Sequence, residues 1–306
     1  MLSLKNVYFF QAGIGILANT SLLVFHIIAI HQFPRPRPTD MITCQLAFVH
    51  IVMLLTTLDI SLADMSKSLG FPNELKCKVL LYMSRVSRGL SISTTCLLSI
   101  VQVITISPSS FFLSRFKHKL TKHVAIAFFC ICCFSLCSNS NMIIYTVAHS
   151  NRTNLFSVSK YCSLISVNST VRALFLVLML SQNIFFVGIM LLSSMYMVIF
   201  LCSHQRKSEY LHSMSISPRI SPAKQATCTV LVLVSFFVIM YCVDIIISSF
   251  SFILWKYEPV VLDIQRMVGN IYATVSPLVF ISSDKRIVGI LKKVLCMCQT
   301  VKELMK

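Results

Sequence analysis

Long apolar runs separated by short polar segments set the pattern of this chain. A helix needs roughly 20 consecutive apolar residues to cross a bilayer, and more if it is tilted. Seven such runs occur, at about 8–30, 41–63, 79–106, 124–147, 171–201, 226–254 and 261–282. The segments between them leave no room for a separate soluble domain, and no internal repeat is evident. The pattern predicts an all-α membrane protein, one seven-transmembrane helix bundle spanning 1–306. The first run follows only Lys5 and lacks a small-x-small cleavage pattern, so it is expected to stay as the first span. Residues 283–306 are basic and amphipathic (DKRIVGILKKVLCMC) and read as a short interfacial C-terminal helix on a cytoplasmic tail rather than an eighth span.

The third run departs from uniform apolarity in a periodic way. Ser84, Arg88, Ser91, Thr95, Ser99 and Gln102 recur at spacings of 4, 3, 4, 4 and 3. That is helical period, and it places them on one stripe. A polar stripe along a membrane helix faces the bundle interior or a water-filled cavity. Arg88 lies on the stripe and Arg85 one position off it. At 1.5 Å per residue, Arg85 and Arg88 lie about 12 and 16 Å below Cys77, the depth of a pocket open to the outside. Charges at this depth cost roughly 2.5–3.5 kcal/mol each, so they are kept for function or pairing. The other intramembrane charges are Asp59 in span two and Asp244 in span six, and His50 lies midway along span two. Arginines serving only as glue between helices could be replaced by Ser or Asn at lower cost, so the reading favours a pocket wall.

Composition strengthens the membrane assignment. The chain is 56% hydrophobic and only 12% charged, with a mean hydropathy of +0.79. The net charge of +17 falls in short clusters between apolar runs. No continuous basic patch or aromatic RNA-type motif accompanies it, so nucleic acid is not an expected partner. The clusters report orientation instead. With the N-terminus outside, cytoplasmic segments hold sixteen Lys and Arg and the outer loops seven. Two sequons, at Asn151 and Asn168, fall in the outer segment between spans four and five and agree as glycosylation sites. A third match, at Asn19, lies within span one, out of reach of a transferase.

Thirteen cysteines do not form a secreted disulfide framework. Cys130, Cys132, Cys133 and Cys137 lie within span four and read as small buried side chains. They have no His or acidic companions, so no metal or other cofactor is expected. Only Cys77 and Cys162 fall where loops meet an oxidising compartment. Cys296 and Cys298 follow the basic amphipathic tail and are candidates for palmitoylation, with plain buried thiols as the alternative. The PRPRP run at 34–38 makes a stiff, short first inner loop. No HExxH or paired-Asp motif is present, so an enzyme is not expected.

The stretches RPRPTDMITCQLAFVH (35–50), SRGLSISTTCLLSI (87–100), VRALFLVLMLSQNIFFVGIMLLSSMYMV (171–198), SPRISPAKQAT (217–227) and VGNIYATVSPLVFISSDKR (268–286) together resemble the vomeronasal type-1 receptor family. The resemblance covers nearly the whole chain. It implies a G-protein-coupled chemosensory receptor of the plasma membrane, a pheromone receptor signalling through the Gi/o class of G proteins. It also implies a small-molecule or peptide chemosignal as ligand. By the family pattern Cys77 and Cys162 are joined as a disulfide. Against the wider rhodopsin-like superfamily, Asn19 matches the span-one asparagine, and His50 stands where the sodium-binding Asp would be. Gln102 stands in the place of the DRY arginine region. Pro277 and Phe280 occupy the NPxxY region, with Phe for Tyr. Tyr241 lies at the toggle position of span six, and its proline is replaced by Val243. The resemblance and the depth of the arginines together point to a small ligand entering from outside between spans two, three, five, six and seven. Arg85 and Arg88 are its candidate anion binders, with Asp59, Tyr241 and Asp244 completing the wall; which arginine pairs with which aspartate stays open. The competing readings are a bitter-taste-like receptor and, from a different class, a small membrane transporter.

Overall fold

The computed structural model describes residues 2–32, 37–65, 74–107, 120–148, 155–157, 162–165, 169–211, 231–232, 234–243, 245–247, 259–284 and 286–289. In a bilayer every backbone N–H and C=O must be satisfied within the chain, and the apolar runs meet this by forming helices. These are α1 (Leu2–Gln32), α2 (Pro38–Met65), α3 (Glu74–Ile106), α4 (Leu120–Ser138), the one-turn α5 (Asn141–Tyr145) and α6 (Ser169–Leu211). They continue with α7 (Val234–Ile247) and α8 (Pro259–Ser283). Among the described residues, five helical stretches are long and apolar enough to cross a membrane, in α1, α2, α3, α4 with α5, and α6. Run 226–254 is described only in part, and Asp244 lies outside the described residues. Run 261–282 lies inside α8, which carries Asp263 and Arg266 near its start.

The run expected at about 124–147 answers to the stretch Leu120–Tyr145, which is long and apolar enough to cross a membrane but is broken near its end. The helix stops at Ser138, resumes for one turn and leaves helical geometry at Thr146, whose φ and ψ of −83° and 132° are extended. The local chemistry accounts for the break. Asn139 donates its side-chain N–H to the Ser135 carbonyl, and the Ser140 hydroxyl donates to the Cys137 carbonyl. Such side-chain bonds compete with the helical ladder. The chain then enters a small sheet that the all-α expectation lacked. It comprises β1 (Thr146–Ala148), β2 (Leu155–Ser157) and β3 (Cys162–Ile165), all antiparallel in the order β1-β3-β2. Asn151 and Asn168 lie outside the described residues, as do Cys296 and Cys298. Of the segment 283–306 only residues 283–284 and 286–289 are described, and 286–289 are helical.

Helix α3 is the central post, touching α2, α4, α6 and β1, while α1 lies against α2 and α8. The stripe read from the sequence turns inward: Ser91, Thr95, Ser99 and Gln102 are all buried. One core cluster joins α3, α6, α7 and α8 through Ile92, Cys96, Met190, Met197, Val234, Phe237 and Tyr272. The close approach of α1 depends on Gly15. A methyl group there would fall 2.8 Å from Leu54 Cδ1 and 2.9 Å from Thr274 Oγ1, so only a bare position admits both neighbours. One turn on, the fully buried Asn19 donates to the carbonyls of Gly15 at 2.7 Å and Ala273 at 2.8 Å, tying α1 to α8. The cysteines of α4 correct a second expectation: Cys130, Cys133 and Cys137 are exposed on the helix surface. A bilayer can shield them there, but the protein does not.

At the end of the bundle remote from Cys77, a cluster absent from the sequence analysis joins three segments. Arg286 holds Asp40 at the start of α2 through two bonds, of 2.8 and 3.2 Å, and binds Asp284 at 2.7 Å. His26 of α1 lies 3.7 Å from Asp40, and Arg286 stacks over Phe25 at 5.9 Å. Burial works to raise the Asp284 carboxyl, but the Arg286 hydrogen bonds outweigh it and hold the group below its ordinary value. A carboxylate lowered in the folded state contributes stability above its unfolded pKa, about 4, and loses it as pH falls through the folded value. The Asp284 contribution to thermal stability of the detergent-solubilised chain should therefore be fully present above about pH 4 and be lost below it. Asp284→Asn should flatten part of that acid limb. An identical acid limb in the variant would remove Asp284 from the account.

Candidate functional site

The polar stripe of α3 and the cores of α7 and α8 leave an open-mouthed cavity between them, with α2 as its fourth side. Its lining is Met53 of α2, Arg88 and Ser91 of α3, Phe237, Met240 and Tyr241 of α7, and Val268, Gly269 and Tyr272 of α8. The cavity measures about 30 Å³. A single water needs roughly 10–15 Å³ on the same kind of measure, so there is room for a small polar group with its remainder outside.

Each wall follows from local sequence. Arg88 and Ser91 are neighbours on the stripe at a spacing of three, so both reach the same side of α3. Phe237 and Tyr241 are four apart on α7 and stack at 5.6 Å, nearly parallel. Phe237 meets Tyr272 edge-on at 4.3 Å, a geometry that aromatic quadrupoles favour. The buried Tyr272 hydroxyl lies 3.2 Å from that of Thr95, which donates to the Ser91 carbonyl. Among the described lining residues, Arg88 supplies the cationic side chain. A planar guanidinium with several donors, beside aromatic and thioether walls, can hold an oxyanion while its neighbours contact an apolar body.

Below the cavity, His50 joins three helices. Its Nε2 lies 3.0 Å from the Ser91 hydroxyl and its Nδ1 3.3 Å from that of Ser276. The ring meets Tyr272 edge-on at 5.4 Å. Ser276 directly precedes Pro277, which sits inside α8. Phe280, one turn further, packs against three core clusters. Gln102 is buried on the stripe, and past it the hydroxyls of Ser107 and Tyr196 meet at 3.0 Å, closing α3 on α6.

The structure thus brings Arg88 and Tyr241 onto one cavity and leaves Arg85 and Asp59 off its lining. Arg85 is half-buried. Asp59 is half-exposed, and its carboxylate lies 3.6 Å from Lys76 in the first turn of α3. Among the described residues, span five, expected to share the wall, contributes no lining residue; Met190 and Met197 pack in one cluster with Phe237 and Tyr272. Sequence reasoning missed Met53, Phe237, Met240, Val268, Gly269 and Tyr272 as lining. The i+3 and i+4 spacings of Phe237, Met240 and Tyr241, and of Val268, Gly269 and Tyr272, were the available signal. Among the described residues no group of three or more His, Cys, Asp or Glu converges as metal ligands would.

Near the start of α3, a disulfide joins Cys77 to Cys162, with Cα atoms 5.6 Å apart across 85 residues of sequence. Cys162 pairs in register with Ala148, so the bond pins the sheet to the first turn of α3. Ile60 and Leu81 close around the two cysteines.

Comparison with known proteins covers almost the entire chain. The profile of the vomeronasal organ pheromone receptor family matches residues 2–293. Vomeronasal type-1 receptor 94 of Rattus norvegicus is 39% identical over 292 residues, 95% of this chain and 89% of that protein. Vomeronasal type-1 receptor 90 of the same species is 40% identical over 291 residues, 94% of this chain and 93% of that protein. Vomeronasal type-1 receptor 51 of Mus musculus is 36% identical over 294 residues, covering 95% and 92%.

Proposed function

The chain belongs to the vomeronasal organ pheromone receptor family, and on that premise we propose that it detects an acidic chemosignal at the Arg88 cavity and signals through a Gi/o-class G protein. Family membership makes it a membrane receptor with a G protein and chemical ligands as partners. In the proposed arrangement the bundle has seven spans, α7 and α8 completing the five long apolar helices. The N-terminus is outside, Asn151 and Asn168 are glycosylated, and the Arg286 cluster faces the cytoplasm. The Lys and Arg asymmetry of the loops supports that orientation.

The observation that carries the ligand reading is the meeting of Arg88 with Ser91 and an aromatic wall on one cavity. An anionic group at Arg88 would touch both α3 and α8, with α7 beside it. Ligand that binds better when α7 moves would shift the population towards the G-protein-competent state.

The test is a screen of organic sulfates, sulfonates and carboxylates, with neutral isosteres, in cells carrying the full chain and a G-protein reporter. The expected result is a response to an anion and not to its isostere, abolished by pertussis toxin. A response confined to neutral compounds overturns the Arg88 reading, and a toxin-resistant response overturns the Gi/o assignment.

A further inference from the structure

Position 269 lies in the middle of α8, where a glycine costs about 1 kcal/mol relative to alanine. The space its missing side chain leaves is filled by a cation. A methyl group built on Gly269 would lie 2.7 Å from Arg88 Nη2, 2.9 Å from Cζ and 3.0 Å from Nη1. The forked end of the guanidinium is therefore seated directly on the α8 backbone, reached by a side chain that starts on α3. Gly13 and Gly188, also helical, have no such tenant: nothing lies within 4 Å of a methyl placed on either.

We propose that Gly269 is a specificity-determining position, which seats the Arg88 guanidinium against α8 and so sets the size of the anionic head group the cavity admits. The proposal rests on the reading of this cavity as the ligand site. Its physical content is spatial. Both residues line the same cavity of about 30 Å³. With residue 269 bare, the charge is held at the wall and the space in front of it stays open for an oxyanion. Any side chain at 269 displaces the guanidinium, because the crowded atoms are the mobile end of a long side chain and yield before backbone does. The displaced group then takes up the room that the head group needs, while the net charge of the site is unchanged. Gly269 thus governs where the cation stands and Arg88 governs whether there is one.

The two roles separate in a double-mutant cycle. The probe is benzenesulfonate, compared with the neutral isostere benzenesulfonamide, binding to the purified full chain in detergent and read by thermal stabilisation. Wild type should prefer the sulfonate. Gly269→Ala should weaken sulfonate binding about tenfold, and Gly13→Ala should leave it unchanged. Arg88→Met should erase the preference for the anion, and adding Gly269→Ala to Arg88→Met should change nothing further. Additive effects of the two substitutions, or full sulfonate affinity in Gly269→Ala, overturn the seat while leaving the ligand reading intact. Wild type that binds neither probe, or prefers the sulfonamide, overturns the ligand reading itself and the seat with it. If Gly269→Ala fails to fold, recovery of folding in the double variant supports the seat, and no recovery overturns it.

Discussion

Arg88→Met is expected to shift the concentration–response curve for an acidic agonist to higher concentration by on the order of 10–100-fold, with surface expression near wild type. A hydrogen bond to a charged group is worth about 1.5–3 kcal/mol, and each 1.4 kcal/mol is tenfold in affinity. Methionine keeps much of the length of the arginine stem and is at home beside Met53 and Met240, so the cavity wall stays filled. It also removes a charge whose insertion into the bilayer costs roughly 2.5–3.5 kcal/mol, and surface labelling of intact cells reads the delivery of the variant directly. Arg88→Lys should fall between the two, because it keeps the charge and loses the planar fork. Superimposable curves for wild type and Arg88→Met, measured with the agonist that activates wild type best, would remove Arg88 from recognition.

The second large effect is expected at the disulfide. Cys77→Ser or Cys162→Ser should destabilise the receptor by about 2–5 kcal/mol and sharply reduce its delivery to the surface. The bond closes a loop of 85 residues, and long loops lose the most entropy on closure. Beyond the loop, the bond anchors a sheet whose strands run to only three or four residues each. Three short strands have little stability of their own. The double variant should be no worse than either single one, since both singles already lose the link and leave an odd thiol. Surface labelling of intact cells measures delivery. Mapping of non-reduced peptides identifies the bond directly, and recovery of Cys77 and Cys162 as free thiols from properly delivered receptor would contradict it.

What the sequence made legible was what a bilayer enforces. Apolar runs of spanning length, with no water to satisfy their backbone, have almost no alternative to helix, so α1, α2, α3 and α6 enclose the predicted runs. The polar stripe on α3 was equally legible, because a helical period written in Ser, Thr and Arg stands out against leucine and isoleucine. The failures share another cause. MIIYTVA continues the hydropathy of span four, yet its backbone turns extended at Thr146, where pairing with Leu164 of β3 competes with helix. Hydropathy records transfer free energy and is blind to that competition. Arg88 could be singled out as charged and periodic, but its seat on Gly269 joins two helices far apart in the chain. Arg286 and Asp40 are separated by 246 positions. Contacts of that kind leave no mark in the spacing of a single chain. Arg286 counted only towards orientation, although it joins three segments of the fold.

The position of His50 has a consequence for how occupancy of the cavity is felt elsewhere. A neutral imidazole has one nitrogen that donates and one that accepts. Its two serine partners, Ser91 at the cavity and Ser276 beside Pro277, therefore cannot both give a proton to it or both take one from it. A group that reverses the first of these bonds by taking the Ser91 proton for itself changes the tautomer of the ring, and the second bond reverses with it. News of the ligand would then travel to the proline of α8 as the direction in which a hydrogen bond points. It needs no bound ion and no change in net charge along the way.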